Sequence, residues 1–262
     1  MRILGMKRLI VSAFVALAVV LPVTPVEAAA DPVAAVKKRV STGHGMAFAD
    51  TVTMVRETSE KFITRKGRLQ FGRGGRVAAS DISAEFFGPL PQRNPKLLTP
   101  GRAIMIGKTF YTQGLGYEVP AGKKWFVEKN GEPSGSATYY SQLVNPGEPA
   151  TLKALIANAK RSGRVYTGSI DLSELAEVSP WFRLSAGRTV FVAGAHVRFK
   201  LTLDPRSLPK SLVTDLSGGY LFHSGDWDKV VLHTVTTYSA WGSKISVKAP
   251  PAGTVSKVLS QE

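Results

Sequence analysis

Apolar residues along this chain change their spacing several times, and each change marks an element. Asp31-Pro32 suits a helix start, since Asp caps and Pro fits the first helical position. Val33, Val36 and Val40 then recur at helical spacing, leaving Lys37, Lys38 and Arg39 to solvent, and Gly43 and Gly45 end the helix. From Met46 the period changes from about 3.6 to 2. Met46 to Arg56, Phe62 to Phe71 and Val77 to Phe87 read as strands, the last two joined by Gly72-Arg73-Gly74-Gly75, which suits a hairpin. In the third strand Ala78, Ser80, Ile82, Ala84 and Phe86 share one face, while Asp81, Ser83 and Glu85 lie opposite. One face is wet, which is the pattern of antiparallel sheet.

Residues 88–100 hold four Pro and a Gly and read as a loop. Ala103 to Thr112 and Lys123 to Lys129 are two further strands, and Asn130 to Ala137 is again a loop. A second helix begins near Pro149, with Leu152, Leu155, Ile156 and Ala159 on one face. A third runs from Leu172 to Val178, with Leu172, Leu175 and Ala176 on its apolar side and Pro180 closing it. Val197, Phe199, Leu201 and Leu203 alternate with Arg198, Lys200, Thr202 and Asp204, the clearest strand in the chain. Leu208 to Leu216, Lys229 to Tyr238 and Ser243 to Lys248 complete the series, and Pro250-Pro251 ends it.

Many strands with one apolar face each need a cover, and the few helices supply it. The expected class is α+β: a strongly curved antiparallel β-sheet with a few α-helices covering its concave face. Such a concavity either closes as a core or keeps a lipid-sized cavity, and periodicity does not separate the two. With no repeat and no long linker, residues 31–251 form one domain, and 252–262 are expected to be a flexible tail.

The first thirty residues change the picture. Arg2, Lys7 and Arg8 precede an apolar run, Leu9 to Leu21, broken only by Ser12; Pro22 and Pro25 and the small residues Ala28 to Ala30 follow. This is the layout of a secretory signal peptide with cleavage after Ala28 or Ala30. The run is shorter than the roughly 20 apolar residues that span a bilayer. Of 262 residues none is Cys, which excludes a disulfide scaffold, a Cys zinc site, a thiol nucleophile and a lipoprotein anchor. The expectation is export to the extracellular or cell-envelope space, soluble after cleavage and without a lipid anchor.

Thirty-four Lys plus Arg against 19 Asp plus Glu give a charge of +15. Losing residues 1–30 removes three basic residues and Glu27, leaving +13. A basic exported protein is drawn to an anionic membrane or cell-wall surface. Lys37-Lys38-Arg39, Arg65-Lys66-Arg68, Lys123-Lys124 and Lys160-Arg161-Arg164 are the clusters, each of which also suits a solvated face. No nucleic-acid motif accompanies them, so no nucleic acid is expected as a partner.

Several segments resemble the actinobacterial LppX/LprG-type lipoproteins, within the wider LolA/LolB-like group. They are the helix Asp31 to Val36, the strand end Gly107-Lys108-Thr109-Phe110-Tyr111, Gly122-Lys123-Lys124-Trp125, and the helix entry Asn145 to Ala150. Tyr166 to Leu172, Leu201 to Pro209, Tyr238 to Gly242, Ile245 to Val247 and Ala249-Pro250-Pro251 complete the likeness. The resemblance implies a half-barrel with acyl chains held between sheet and helices, carriage or sensing of lipid or lipoprotein, and no cofactor. Those lipoproteins are anchored through an N-terminal Cys that this sequence lacks.

Catalytic motifs fail on spacing. Gly131-Glu132-Pro133-Ser134-Gly135 is not a nucleophile elbow, Gly72-Arg73-Gly74 is no dinucleotide fingerprint, and neither a P-loop nor His-Glu-x-x-His occurs. His44, His196, His223 and His233 lack metal-ligand spacing. His223 with Asp226-Trp227-Asp228 reads as a turn, and Glu174 and Glu177 as the wet side of the third helix. No metal, cofactor or catalytic residue is expected. The sequence therefore points to a secreted, non-catalytic carrier of a lipid or an acylated glycolipid or lipoprotein. The alternative is an envelope sensor or regulatory module with an unidentified protein partner. Candidates for the cavity wall are Val33, Val36, Val40, Leu152, Leu155, Ile156, Leu175, Val197, Phe199 and Leu201. Lys37, Lys38, Arg39, Lys123, Lys124, Lys160 and Arg161 are candidates for an anionic surface.

Overall fold

The computed structural model describes residues 31–89, 92, 96, 98–129, 142–186, 194–222 and 225–260. The expected signal peptide, the loop expected at 130–137 and His223 lie outside the described residues, as does the Asp226 side chain. In chain order the elements are α1 (Pro32–Lys37), β1 (His44–Val55), β2 (Ser59–Phe71), β3 (Val77–Phe86), β4 (Gly101–Ile106), β5 (Thr109–Gly114) and β6 (Trp125–Lys129). Then come α2 (Pro149–Ala157), β7 (Ala159–Ser162), β8 (Val165–Asp171), α3 (Leu172–Val178), α4 (Pro180–Ala186), β9 (His196–Leu203) and β10 (Pro209–Ser217). The last are α5 (Gly219–Phe222), α6 (Gly225–Asp228), β11 (Val231–Lys244) and β12 (Val255–Ser256).

All twelve strands join one open sheet, in the order β12-β6-β5-β4-β3-β2-β1-β11-β10-β9-β8-β7. Every named pair is antiparallel except β12 with β6. The closing strand β11 thus returns to lie beside β1, with Thr51 opposite Val235, and the chain's two halves form the sheet's two wings. Edge strands invite pairing with other chains, and short charged ones resist it. The edge strand β7 has four residues, among them exposed Lys160 and Arg161.

Helix 1 starts as its sequence requires, with the Asp31 carboxylate accepting the Val33 N–H at 2.9 Å. Helix 3 spans the expected residues. Elsewhere the structure differs from the expectation, and each difference has a local cause. Ala103 to Thr112 is two strands, because Gly107, at φ +59°, turns the chain between β4 and β5. Ala159 opens β7 rather than closing α2, as Asn158 Nδ2 bonds back to the Ala154 carbonyl and ends the helix. Pro180 closes α3 but also begins α4, where its missing N–H costs nothing. The predicted strand Lys229 to Tyr238 is part of β11, which runs on to Lys244 through an irregularity where Ala240 adopts φ +54°, whereas Ile245 to Lys248 of the last predicted strand lie outside regular structure. Beyond Pro251 the fold continues into a 3-10 turn, Ala252–Thr254, and the short strand β12 on β6.

One apolar core joins the helices to the sheet's inner face. It contains Val36 and Val40, Leu152 and Leu155, Leu172 and Leu175, and strand residues from Ile82 on β3 to Tyr166 on β8. The tip of the β2–β3 hairpin enters this contact. Gly75 sits at φ +74°, and a Cβ there would lie 2.8 Å from Pro149 Cδ and 3.1 Å from Val40 Cγ2. Gly74, at φ +73°, faces open space. Gly75→Ala is therefore expected to lower stability by about 1–3 kcal/mol. Gly74→Ala, which meets only the backbone penalty, should cost less. Urea unfolding of both variants measures the difference, and equal losses would remove the packing argument.

Candidate functional site

The unusual part of the core is its centre, which is polar. On β1 the inward positions are Met46, Phe48, Asp50, Val52 and Met54, all buried. On β2 they include Ile63, Arg65, Leu69 and Phe71. Alternation alone turns Asp50 and Arg65 inward, and the strand register sets them directly opposite each other. The Arg65 Nη2 donates to Asp50 Oδ2 at 2.6 Å and Nε adds bonds of 3.1 and 3.2 Å, with the two side chains only 1% and 0% exposed. Arg65 Cζ also lies 5.2 Å from the centre of the Phe48 ring. Arg65 is thus no part of a solvated cluster, whereas its neighbours Lys66 and Arg68 are exposed.

Strand β11 extends the polarity across the sheet. It sets Thr234, Thr236 and Tyr238 opposite Val52, Asp50 and Phe48, and β10 adds Thr214 opposite Thr234. Above this strip runs irregular backbone, Gln142 to Glu148, every residue of which is buried. Buried irregular backbone is rare because its polar groups lack ladder partners. Gln142 meets that need: Nε2 donates to Thr236 Oγ1 at 3.1 Å, while Oε1 accepts from Thr214 Oγ1 and from the Val144 N–H at 3.3 and 3.1 Å. The Trp181 indole N–H reaches the Gln142 carbonyl at 3.4 Å.

Two groups are left over. Asn145 Oδ1 accepts the Gly147 N–H, but Asn145 Nδ2 is buried without a partner among the described residues. The Tyr238 hydroxyl is buried likewise, without a hydrogen bond of good geometry among the described residues, though the Thr236 side chain lies close enough to favour the ionised form slightly. Burial, and then the Asp50 charge, push the Tyr238 phenol well above its usual range. Both residues line a cavity of about 20 Å³ together with Phe48, Arg65, Gln142 and Trp181. That is room for about one water and far too little for an acyl chain.

Glu148 ties the layer of helices to itself. Its Oε2 accepts from Ser179 Oγ at 2.5 Å and Thr151 Oγ1 at 3.1 Å, and its Oε1 accepts the Trp181 N–H at 3.0 Å. One carboxylate therefore binds the first turn of α2 to the start of α4, whose Ser179 cap also accepts the Phe182 N–H at 3.0 Å. Burial raises the Glu148 carboxyl above its ordinary value, against the bonds from Ser179, Trp181 and Thr151.

The sequence candidates fall into two groups. Val36, Val40, Leu152, Leu155, Leu175, Val197, Phe199 and Leu201 are buried in the one core, with Val33 and Ile156 half-buried against it. None of these ten lines the central cavity. The basic candidates are exposed and are not brought together. Lys37, Lys38 and Arg39 sit at the end of α1, while Lys123 and Lys124 precede β6 and Lys160 and Arg161 lie on β7, near opposite edges of the sheet. Lys123 Nζ is also occupied, donating to the Gly253 carbonyl at 2.9 Å. His233 pairs with Asp215 across β10 and β11 at 2.7 Å, beside Arg198. Among the described residues no group of three or more His, Asp or Glu gathers as metal ligands would.

No family model matches this chain. No curated protein matches it either. Among solved structures it is similar to a LolA superfamily protein from Nitrosomonas europaea, with 8% identity over 85% of this chain and 94% of that one and a TM-score of 0.26. Neither fold nor ligand follows from a likeness at that level. The site must be read from its own geometry.

Two expectations follow from the geometry. Removing one partner of a desolvated ion pair strands the other, at about 3–5 kcal/mol. Asp50→Asn and Arg65→Met should each lose that much in urea unfolding. The double variant Asp50→Leu/Arg65→Met should recover most of it, and a double variant as unstable as either single one would contradict the pairing. The second concerns pH. A carboxyl raised in the fold binds a proton more readily folded than unfolded, so its contribution to stability falls as pH climbs from about 4.3 through the raised value. Glu148→Gln cannot ionise, so its stability relative to wild type should rise with pH across that window. A difference independent of pH would show that Glu148 titrates normally.

Proposed function

We propose that this chain is an exported, non-catalytic carrier of an acylated ligand, held between the sheet and the layer formed by α2, α3 and α4. The observation that carries the reading is the buried segment 142–148 lying over a polar strip, with Asn145 Nδ2 of the segment and Tyr238 Oη of the strip left without a hydrogen bond of good geometry among the described residues at the cavity between them. Each polar group left unmet at a core's centre costs about 1–3 kcal/mol, a penalty that a bound headgroup reaching both atoms would offset. A seam that opens and takes a headgroup there accounts for both.

Apolar flanks support the same reading. On β9, to one side of the strip, lie Phe199 and Leu201, in one core with Leu155 and Leu175 of the helices, and on β2 and β3 lie Ile63, Ile82 and Phe86. A single core spanning β3 to β8, six strand spacings or about 29 Å, also favours a sheet bent around the helices as a half-barrel. Transfer of an acyl chain onto these walls is worth about 0.8 kcal/mol per methylene before the cost of opening. The sequence's likeness to LppX/LprG-type lipoproteins points the same way, with a free chain in place of an anchored one.

Native mass spectrometry of the chain, expressed with its own N-terminal segment and purified without detergent, tests the reading. The expected result is a processed chain with a stoichiometric adduct that organic solvent extracts as lipid. An apo mass, with no uptake from added phospholipid vesicles, would overturn carriage and favour a module that binds a protein partner.

A further inference from the structure

Apart from the seam, the structure has a second concavity, of about 550 Å³, on its surface between α1 and the turn that joins β9 to β10. That volume lies within the roughly 300–1,000 Å³ of small-ligand pockets. Three cations line it, Lys38, Arg39 and Arg206, against one carboxylate, Asp31, which is already engaged in capping α1. Its apolar lining is Ala34, Ala35 and Leu208.

Two of the cations are held in place. Asp204 Oδ2 accepts from Arg206 Nε and Nη2 at 3.0 and 2.9 Å, while its Oδ1 accepts the N–H groups of Arg206 and Leu208. Partial burial opposes the charge on Asp204, but the Leu208 and Arg206 bonds outweigh it and keep the carboxyl below its usual range. The arginine is therefore fixed on a charged acceptor through Nε and Nη2, with Nη1 outside that pair. Arg39 is braced differently: a Cβ at Gly242, φ +77°, would lie 3.0 Å from Arg39 Cδ, so the arginine stem packs over that glycine. Lys38 is exposed at the helix end.

We propose that this groove is a docking site for the headgroup of an anionic phospholipid at a membrane surface. Converging cations match a phosphate, and the Ala34, Ala35 and Leu208 lining suits the glycerol and first methylenes next to it. A nucleic acid would call for stacking platforms, and none of the lining residues is aromatic. The proposal does not depend on acyl carriage, since the groove and the seam share no lining residue.

Sedimentation with phosphatidylcholine vesicles, with and without 30% phosphatidylglycerol at about 0.1 M salt, tests it on the full chain. Wild type should partition to the anionic vesicles only. Lys38→Gln/Arg39→Gln/Arg206→Gln should weaken that partitioning about tenfold or more. Removing three exposed lysines elsewhere, as Lys108→Gln/Lys200→Gln/Lys244→Gln, should weaken it less than threefold. Urea unfolding confirms that both variants are folded. Equal losses in the two variants would reduce the effect to overall charge and overturn the site. Absence of wild-type binding to anionic vesicles would overturn it as well. Inorganic phosphate at millimolar concentration abolishing the groove-dependent binding would reassign the groove to free phosphate.

Discussion

Two opposite charges withdrawn from water in the middle of a sheet constrain everything placed near them. Asp50 and Arg65 face each other across β1 and β2 with almost no exposure, and a desolvated pair is tolerated only where the surrounding groups complete its hydrogen bonding. An apolar helix laid directly on that strip would leave Thr214, Thr236 and Tyr238 unmet. The chain instead places irregular backbone there, with Gln142 meeting two of the three hydroxyls. The buried segment 142–148 thus meets the hydroxyls beside the ion pair, and the small cavity lies where that fit is incomplete.

The helices above are bound to each other more tightly than to the strip. Glu148, which precedes α2, joins it to α4 through two bonds, and Arg183 Nη1, on α4, donates to the Ala176 and Glu177 carbonyls at the end of α3. Among the described residues, Gln142 hydrogen-bonds the polar centre of the sheet through Thr236 and Thr214. On the carrier reading, a shift of such a layer as a unit would keep the bonds among its helices. The apolar flanks set the cost of such a shift, and an acyl chain entering the gap would restore the burial that the shift removes.

Most of this architecture is legible in the residues. Helix 3 is found at its full length because Leu172, Leu175 and Ala176 repeat at helical spacing between Asp171 and Pro180. Strand β9 is equally plain. The joints are less so. Gly107 looks like one strand residue among ten until its positive φ reveals a turn, and Ala159 continues the helical stripe although Asn158 has already ended the helix. The site was partly readable too. Strict alternation puts Asp50 in line with Met46, Phe48, Val52 and Met54, and Arg65 in line with Ile63 and Leu69. Two opposite charges on the apolar sides of successive strands signal a buried pair. Read as a run, Arg65-Lys66-Arg68 hides that signal, because adjacency in sequence says nothing about which face a strand residue takes. Glu148 and Gln142 carry no periodic signal at all, since their roles depend on contacts 31 to 94 residues away.

Charge shows the same dependence on placement. The chain's basic excess is spread over an open sheet whose two edges are separated by the full width of the strand order. At β7 the cations guard an edge, and before β6 Lys123 is spent on the Gly253 carbonyl. Lys66 and Arg68 lie beside the outward Asp81, which Arg68 and Arg102 both engage. At the end of α1 the exposed cations Lys38 and Arg39 border an apolar concavity, and the Asp204 turn brings Arg206 up to them from another element. Net charge draws a protein toward any anionic surface, but a fixed orientation on that surface needs a place where charge and apolar area coincide. In this fold α1 provides that place, and α1 also packs beside α2, the first helix of the layer that covers the seam.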